Sequence, residues 1–296
     1  VERSRGLGDV YKRQSDLMET SVSHQAYEAS RLDDSETHKM LSKTYPYTIL
    51  ITEDDDEVRC FLERELSPHF KTRTAANGKD ALRVLEEEEI SLVVSDVMMP
   101  EMNGFELCRM IKSQLPFSHI PVILLTALTD ERQRIFGITG GADDYIQKPF
   151  HTDYVKIKII HLLQERRKLR ERLLEKLRDN KLLLSEPEKV ESIDDAFLRK
   201  FAEQIEAVYA DPEYNVEKLS ETLGLSRGHL HRKIKELTGT SPVEFLRTYR
   251  LNKATQLLRQ NAYTVSEVAY RTGFSSPAYF SKCFKAVYGV TPTEYQ

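Results

Sequence analysis

Asp96, in the run Val93-Val94-Ser95-Asp96-Val97-Met98-Met99-Pro100, is a carboxylate at the tip of a buried apolar strand. Two further positions have the same setting. Glu53-Asp54 follows Ile49-Leu50-Ile51, and Lys148 follows Asp143-Asp144-Tyr145-Ile146. If these strands lie parallel in one sheet, three acids and a lysine converge at their carboxyl ends. That set suits a divalent cation bound by oxygen ligands beside a carboxylate nucleophile. Phosphoryl transfer to such a carboxylate accumulates negative charge, which a cation and a lysine would neutralise. Thr126, after Val122-Ile123-Leu124-Leu125, places a hydroxyl at a fourth strand end.

The elements that must position these groups alternate. Apolar strands are expected at 47–52, 91–95, 121–125 and 144–147, with a weaker one near 70–74. Helical patterns fall at 56–66, 78–87, 104–114 and 130–138, and a last helix begins near 152. Alternation of this kind implies a parallel sheet with helices on both faces. Such sheets carry their ligands at the strands' carboxyl ends. Asp55, Asp56 and Glu57 read as acids at a helix start.

This pattern resembles the receiver domain of two-component signalling. The resemblance covers roughly 120 residues and implies a doubly wound, parallel five-stranded α/β domain. It implies that Asp96 is the phosphoacceptor and that Mg²⁺ is held by Glu53, Asp54, Asp96 and the backbone carbonyl of Met98. Asp54 would be the direct acidic ligand, with Glu53 acting partly through water. Thr126 would bond the phosphoryl oxygen, Tyr145 would be the aromatic switch, and Pro149 would be cis, aiming Lys148 inward. A phosphohydrolase using an aspartyl phosphate is the remote alternative. Such enzymes commonly need an aspartate two residues after the nucleophile, where this chain has Met98.

Charge divides the chain. Residues 44–150 carry 11 Lys and Arg against 19 Asp and Glu, whereas residues 216–296 carry 12 against 6. An acidic module joined to a basic one fits a regulated nucleic-acid binder. The basic part repeats internally: Ser220-Glu221, Gly224-Leu225-Ser226, Lys235, Gly239, Pro242 and Glu244 have counterparts in Ser266-Glu267, Gly273-Phe274-Ser275, Lys285, Gly289, Pro292 and Glu294. Each copy reads helix, glycine turn, helix. A long helix at about 242–260 joins them. Leu230, Ile234, Phe280 and Phe284 read as core.

The paired units resemble the AraC/XylS-type DNA-binding domain over about 80 residues. By that resemblance the outward face of the first reader helix includes Arg227, Gly228, His231 and Arg232. That of the second includes Ser276, Pro277, Ala278, Ser281 and Lys282. Arg232 is the leading base-contact candidate, since Arg can grip guanine with two bonds. Lys235 and Lys285 face phosphates or solvent.

Between the two halves a helical pattern runs from Thr152 to about Leu184. Val155, Ile159, Leu162, Leu169 and Leu173 follow a 4-3 spacing, compatible with a short coiled coil or with a long receiver helix carrying a charged linker. Another amphipathic helix is expected at about 194–210. The three cysteines lack metal or redox spacing and fit a reducing cytosol. No apolar run approaches the roughly 18 residues of a membrane span.

The chain starts at Val1, and Asp9-Val10-Tyr11-Lys12-Arg13-Gln14 back-translates to GAT GTG TAT AAG AGA CAG, a string resembling a transposon end used in sequencing libraries. The expected layout is a sequencing-adapter artefact (1–14), a disordered linker (15–44), a receiver (45–165), a helical linker (166–192) and an all-α domain with two helix-turn-helix units (193–296). The chain itself is expected not to be an enzyme. Expected partners are double-stranded DNA with repeated sites, a histidine kinase in cis or in trans, RNA polymerase and a second copy on activation. The location is cytoplasmic, without membrane contact by this stretch. A gene product with a membrane-bound kinase upstream, a hybrid sensor histidine kinase, is the second reading.

Overall fold

A computed structural model describes residues 39–127, 141–178 and 192–296. The chain divides into two compact units between Glu165 and Arg166. The helix expected at 130–138, the end of the long helix near Leu184, the 1–14 segment and most of 15–44 lie outside the described residues.

The first unit holds β1 (Thr48–Thr52), α1 (Asp56–Leu66), β2 (Lys71–Ala75), α2 (Gly78–Glu87), β3 (Leu92–Asp96), α3 (Gly104–Ser113), β4 (Val122–Thr126) and β5 (Asp144–Gln147). It also holds the start of α4 (Thr152–Arg178). The five strands form one parallel sheet in the order β2-β1-β3-β4-β5. Side chains alternate across a strand, so each run of apolar residues feeds two cores. Ile49, Ile51, Leu92, Val94, Ile123 and Leu125 pack on one face with Val58, Leu62 and Leu66 of α1 and with α4. Leu50, Val93, Val122 and Leu124 pack on the other with Ala81 and Leu85 of α2 and Leu107, Cys108 and Ile111 of α3. Each fully buried aliphatic side chain contributes about 1.5–3 kcal/mol.

The 4-3 seam resolves in favour of the long receiver helix where it is described. Val155 and Ile159 are fully buried in the first unit's core and Leu162 packs against it, so these positions are not left for a coiled coil. Leu169 is exposed.

The second unit is all-helical after α4: α5 (Ile193–Val208), α6 (Val216–Leu223), α7 (Arg227–Thr238), α8 (Pro242–Arg259), α9 (Val265–Arg271), α10 (Pro277–Tyr288) and α11 (Pro292–Tyr295). The sequence repeat is also a repeat of caps. Asn215 and Thr264 cap α6 and α9, and Gly239 and Gly289 end α7 and α10 in the left-handed conformation. Ser241-Pro242 and Thr291-Pro292 open α8 and α11 with capping boxes to Glu244 and Glu294. These boxes satisfy helix-terminal amides that would otherwise lack partners. Leu230, Ile234, Phe280 and Phe284 are fully buried, as expected.

Helix α5 is fastened to the repeat by aromatic and charged contacts. Phe201 meets Phe245 edge-on at 4.8 Å between ring centroids. Lys233 of α7 is fully buried, with Nζ 2.5 Å from Asp194 Oδ1 and 5.0 Å from the Phe197 ring centroid. Burial holds the Lys233 ammonium below its ordinary pKa, against the pull of Asp194.

Candidate metal centre and nucleic-acid interface

Register brings the acidic residues together. Thr52 of β1 pairs with Ser95 of β3, and Asp96 pairs with Leu125 of β4, so Glu53, Asp96 and Thr126 emerge at one edge of the sheet. Lys148 follows β5 and its amide donates to the Thr126 carbonyl at 2.7 Å. The Lys148–Pro149 peptide is cis. Lys148 Nζ lies 2.8 Å from Asp96 Oδ1 and 2.9 Å from Glu53 Oε2.

Glu53, Asp54 and Asp96 each bring a carboxylate oxygen within 4.8 Å of the others. Glu53 and Asp96 are buried and Asp54 is exposed. Three carboxylates against one lysine leave an excess of negative charge. Burial pushes the Glu53 carboxyl up to about 7, with Asp96 and Asp54 adding to the rise and Lys148 opposing it. Burial also disfavours the Lys148 ammonium, but Glu53 and Asp96 outweigh it and hold the lysine above its ordinary value. An all-oxygen set with uncompensated charge is the chemistry a hard divalent cation fits, Mg²⁺ among them.

Backbone contacts set the frame. The Met98 amide donates to Asp96 Oδ2 at 3.2 Å, and the Met98 side chain is largely exposed. Gly104 allows α3 to start against the backbone of Asp96, because a Cβ there would lie 2.2 Å from the Asp96 carbonyl oxygen. Arg59 of α1 donates to the Glu53 carbonyl at 2.7 Å and pairs with Asp56, tying down the acidic turn. Its only signal in the sequence is its place one turn into the helix behind the acids.

Thr126 is half-buried. Tyr145 packs against the core that contains Cys108. Its hydroxyl is buried without a hydrogen-bond partner among the described residues, and burial pushes its pKa up to about 12.

In the second unit, both helix-turn-helix corners form. Gly224 at φ +68° and Gly273 at φ +79° occupy the left-handed region that favours glycine. The corner bonds correspond: Leu225 N–H donates to the Ser220 carbonyl and Phe274 N–H to the Ala269 carbonyl, both at 3.0 Å. On α7, Arg227 and Gly228 are exposed while His231 and Arg232 are half-buried. On α10, Ala278 and Lys282 are exposed, whereas Ser276, Pro277 and Ser281 are half-buried. Ser276 caps the helix and Ser281 donates to the Pro277 carbonyl, so both hydroxyls are engaged within α10. Tyr279, outside the expected reader set, is 52% exposed on the first turn of α10. Helical periodicity alone does not separate an exposed tyrosine from the core aromatics beside it.

The response regulator receiver domain family matches residues 49–160, and a helix-turn-helix domain family matches residues 219–296. Histidine kinase P4 of Formosa agariphila is 37% identical over 265 residues, covering 90% of this chain and 19% of that protein. Transcriptional regulatory protein GltR of Pseudomonas aeruginosa is 43% identical over 118 residues, covering 40% of this chain and 49% of that protein. The crystal structure of the signal receiver domain of a signal transduction histidine kinase from Syntrophus aciditrophicus has 38% identity, covering 40% of this chain and 91% of that one, with a TM-score of 0.39. The chain thus spans about a fifth of one curated relative and about half of the other. Among the described residues no helix is long and apolar enough to cross a membrane. The chain therefore joins a response regulator receiver domain to an AraC-type helix-turn-helix domain.

Proposed function

We propose that this chain is a phosphorylation-controlled, sequence-specific DNA-binding regulator. The observation that carries the reading is the Lys148 ammonium bridging Asp96 and Glu53, beside exposed Asp54, on a chain that also bears two reader helices. Asp96 is the phosphoacceptor. Its carboxylate oxygen attacks the phosphorus of a phosphohistidine on a kinase. The P–N bond breaks, and the departing imidazole nitrogen keeps the electron pair and takes a proton. Lys148 stabilises the charge on the phosphoryl oxygens, and Thr126 supplies a hydroxyl to the phosphorylated state. Tyr145 follows Thr126 as the switch. Glu53, Asp54, Asp96 and the Met98 carbonyl would hold Mg²⁺, which when bound would offset phosphoryl charge.

Arg227, Gly228, His231 and Arg232 of the first reader, and Ser276, Pro277, Ala278, Ser281 and Lys282 of the second, form the DNA-facing surface. Phosphorylation promotes a homodimer on repeated sites, where the regulator meets RNA polymerase in the cytoplasm. Incubation with Mg²⁺ and a small phosphoryl donor tests the core of this reading. Intact-mass analysis should show one added phosphoryl group, absent in Asp96→Asn. Modification that persists in that variant would refute the assignment.

One observation favours a second reading of the intact gene product. Similarity to histidine kinase P4 runs across 90% of this chain but only 19% of that protein. The kinase would then lie on the same polypeptide, making this chain the output end of a hybrid sensor. The coding sequence upstream of this stretch distinguishes the two. A phosphohydrolase is disfavoured, because Met98 offers no acid or base at the position such an enzyme uses.

A further inference from the structure

Within the second unit a cleft of about 310 Å³ opens between the start of α7 and the second helix-turn-helix corner. Arg247 and Arg250 of α8 line it, Arg227 at the start of α7 borders it, and Ser275 and Tyr279 border it at the start of α10. Helix-turn-helix proteins present the first residues of the reader helix to base edges. If α7 and α10 enter successive major grooves, the DNA backbone between those grooves must pass over whatever separates their first turns. Here that is the cleft.

Its three arginines are not equivalent. Arg227 is paired at 2.6 Å with Glu217, the only acid among the described residues that line the cleft. Arg250 is committed internally, donating from Nε to the Tyr209 carbonyl at 2.8 Å and from Nη2 to the Asp211 carbonyl at 2.6 Å. Gly273 lies directly over it, since a Cβ there would come 2.8 Å from Arg250 Nε. Arg250 thus braces the α5–α6 connection against the second corner.

Arg247 is half-buried and makes no hydrogen bond or ion pair among the described residues. Glu244, one turn earlier on α8, is held by the backbone and hydroxyl of Ser241, with Arg247 a minor influence on its charge. A cation partly withdrawn from water and without a direct hydrogen bond or ion pair gains most from an incoming anion.

We propose that this cleft seats the phosphate backbone between the two half-sites, with Arg247 as the phosphate-binding residue. The proposal rests on the DNA-reading function above and adds a contact on the joining helix, outside both readers. The contact positions the duplex and carries no base preference.

The test uses the full chain and a DNA fragment selected by the wild type. Affinity is measured from about 50 to 200 mM salt for wild type, Arg247→Gln, Arg247→Lys and Arg232→Ala. Arg247→Gln should flatten the plot of log affinity against log salt by about one unit, equally on selected and scrambled DNA. Arg247→Lys should restore the slope because it keeps the charge, while Arg232→Ala should alter base preference. An unchanged slope in Arg247→Gln, or a slope that Lys does not restore, overturns the phosphate seat while the DNA-reading assignment stands. Absence of salt-dependent binding by the wild type overturns both.

Discussion

Lys148 Nζ sits 2.8 Å from Asp96 Oδ1, reaching from the end of β5 to the end of β3. The same nitrogen holds Glu53 Oε2. The lysine's charge therefore sits among the carboxylates that would hold a metal ion, where it opposes a second cation. Lys148→Ala should bind Mg²⁺ more tightly than wild type yet take up phosphoryl groups more slowly. Without metal it should lose stability toward the lower end of the about 3–5 kcal/mol cost of breaking a buried pair, since Glu53 can take up a proton. Calorimetric titration with Mg²⁺ checks this, and weaker metal binding in the variant would contradict it.

Metal removal gives a second prediction. Chelation should abolish phosphorylation of Asp96 without unfolding the first unit, whose two cores do not involve the acidic cluster. Asp54→Asn should weaken Mg²⁺ binding by at least about tenfold. Intact-mass analysis across a Mg²⁺ series reads both, and an unshifted midpoint in Asp54→Asn would remove that residue from the ligand set.

Much of this site was legible because a buried parallel strand leaves a distinctive mark: an apolar run with an acid two residues beyond it, as from Ile51 to Glu53 and from Val94 to Asp96. The glycine corners were legible for the same kind of reason, since Gly224 and Gly273 mark backbone that other residues resist. Burial among neighbouring acids was not legible. Glu53 turns in toward Lys148 while Asp54 stays exposed, and only the strand register decides which. Nor could spacing tell that Val155 and Ile159 serve the receiver core, because a coiled-coil seam and a core-facing stripe share one period. Lys233 shows the opposite limit. A lysine on a reader helix suggests phosphate, but Asp194 and Phe197 enclose it.

The capping boxes carry a pH dependence. Backbone hydrogen bonds from Ser241, Thr264 and Thr291 hold Glu244, Glu267 and Glu294 below the ordinary carboxyl value of 4.5. A lowered folded-state pKa adds stability above the unfolded value, and this is lost as pH falls through the folded value. The amide signals of Ser241, Thr264 and Thr291 should therefore shift with midpoints below 4.5 in an NMR titration. Midpoints at or above 4.5 would mean the boxes do not form in solution.

The two corner glycines should differ under substitution. A Cβ at Gly224 meets nothing within 4 Å, so Gly224→Ala incurs only the left-handed backbone penalty of about 1–2 kcal/mol. A Cβ at Gly273 would fall 2.1 Å from the Tyr209 carbonyl oxygen, so Gly273→Ala must also move backbone. Chemical denaturation should rank Gly273→Ala as clearly the more destabilising, and equal losses would contradict the packing of Tyr209 and Arg250 against the second corner.

The central claim is that the state of Asp96 governs DNA affinity. Genomic DNA fragments titrated with the chain, with and without Mg²⁺ and a beryllofluoride phosphoryl mimic, test it most directly when the bound fragments are sequenced and Asp96→Ala is run alongside. Binding that tightens with the mimic in wild type and stays unchanged in Asp96→Ala is the predicted result. Equal binding in every state would contradict it.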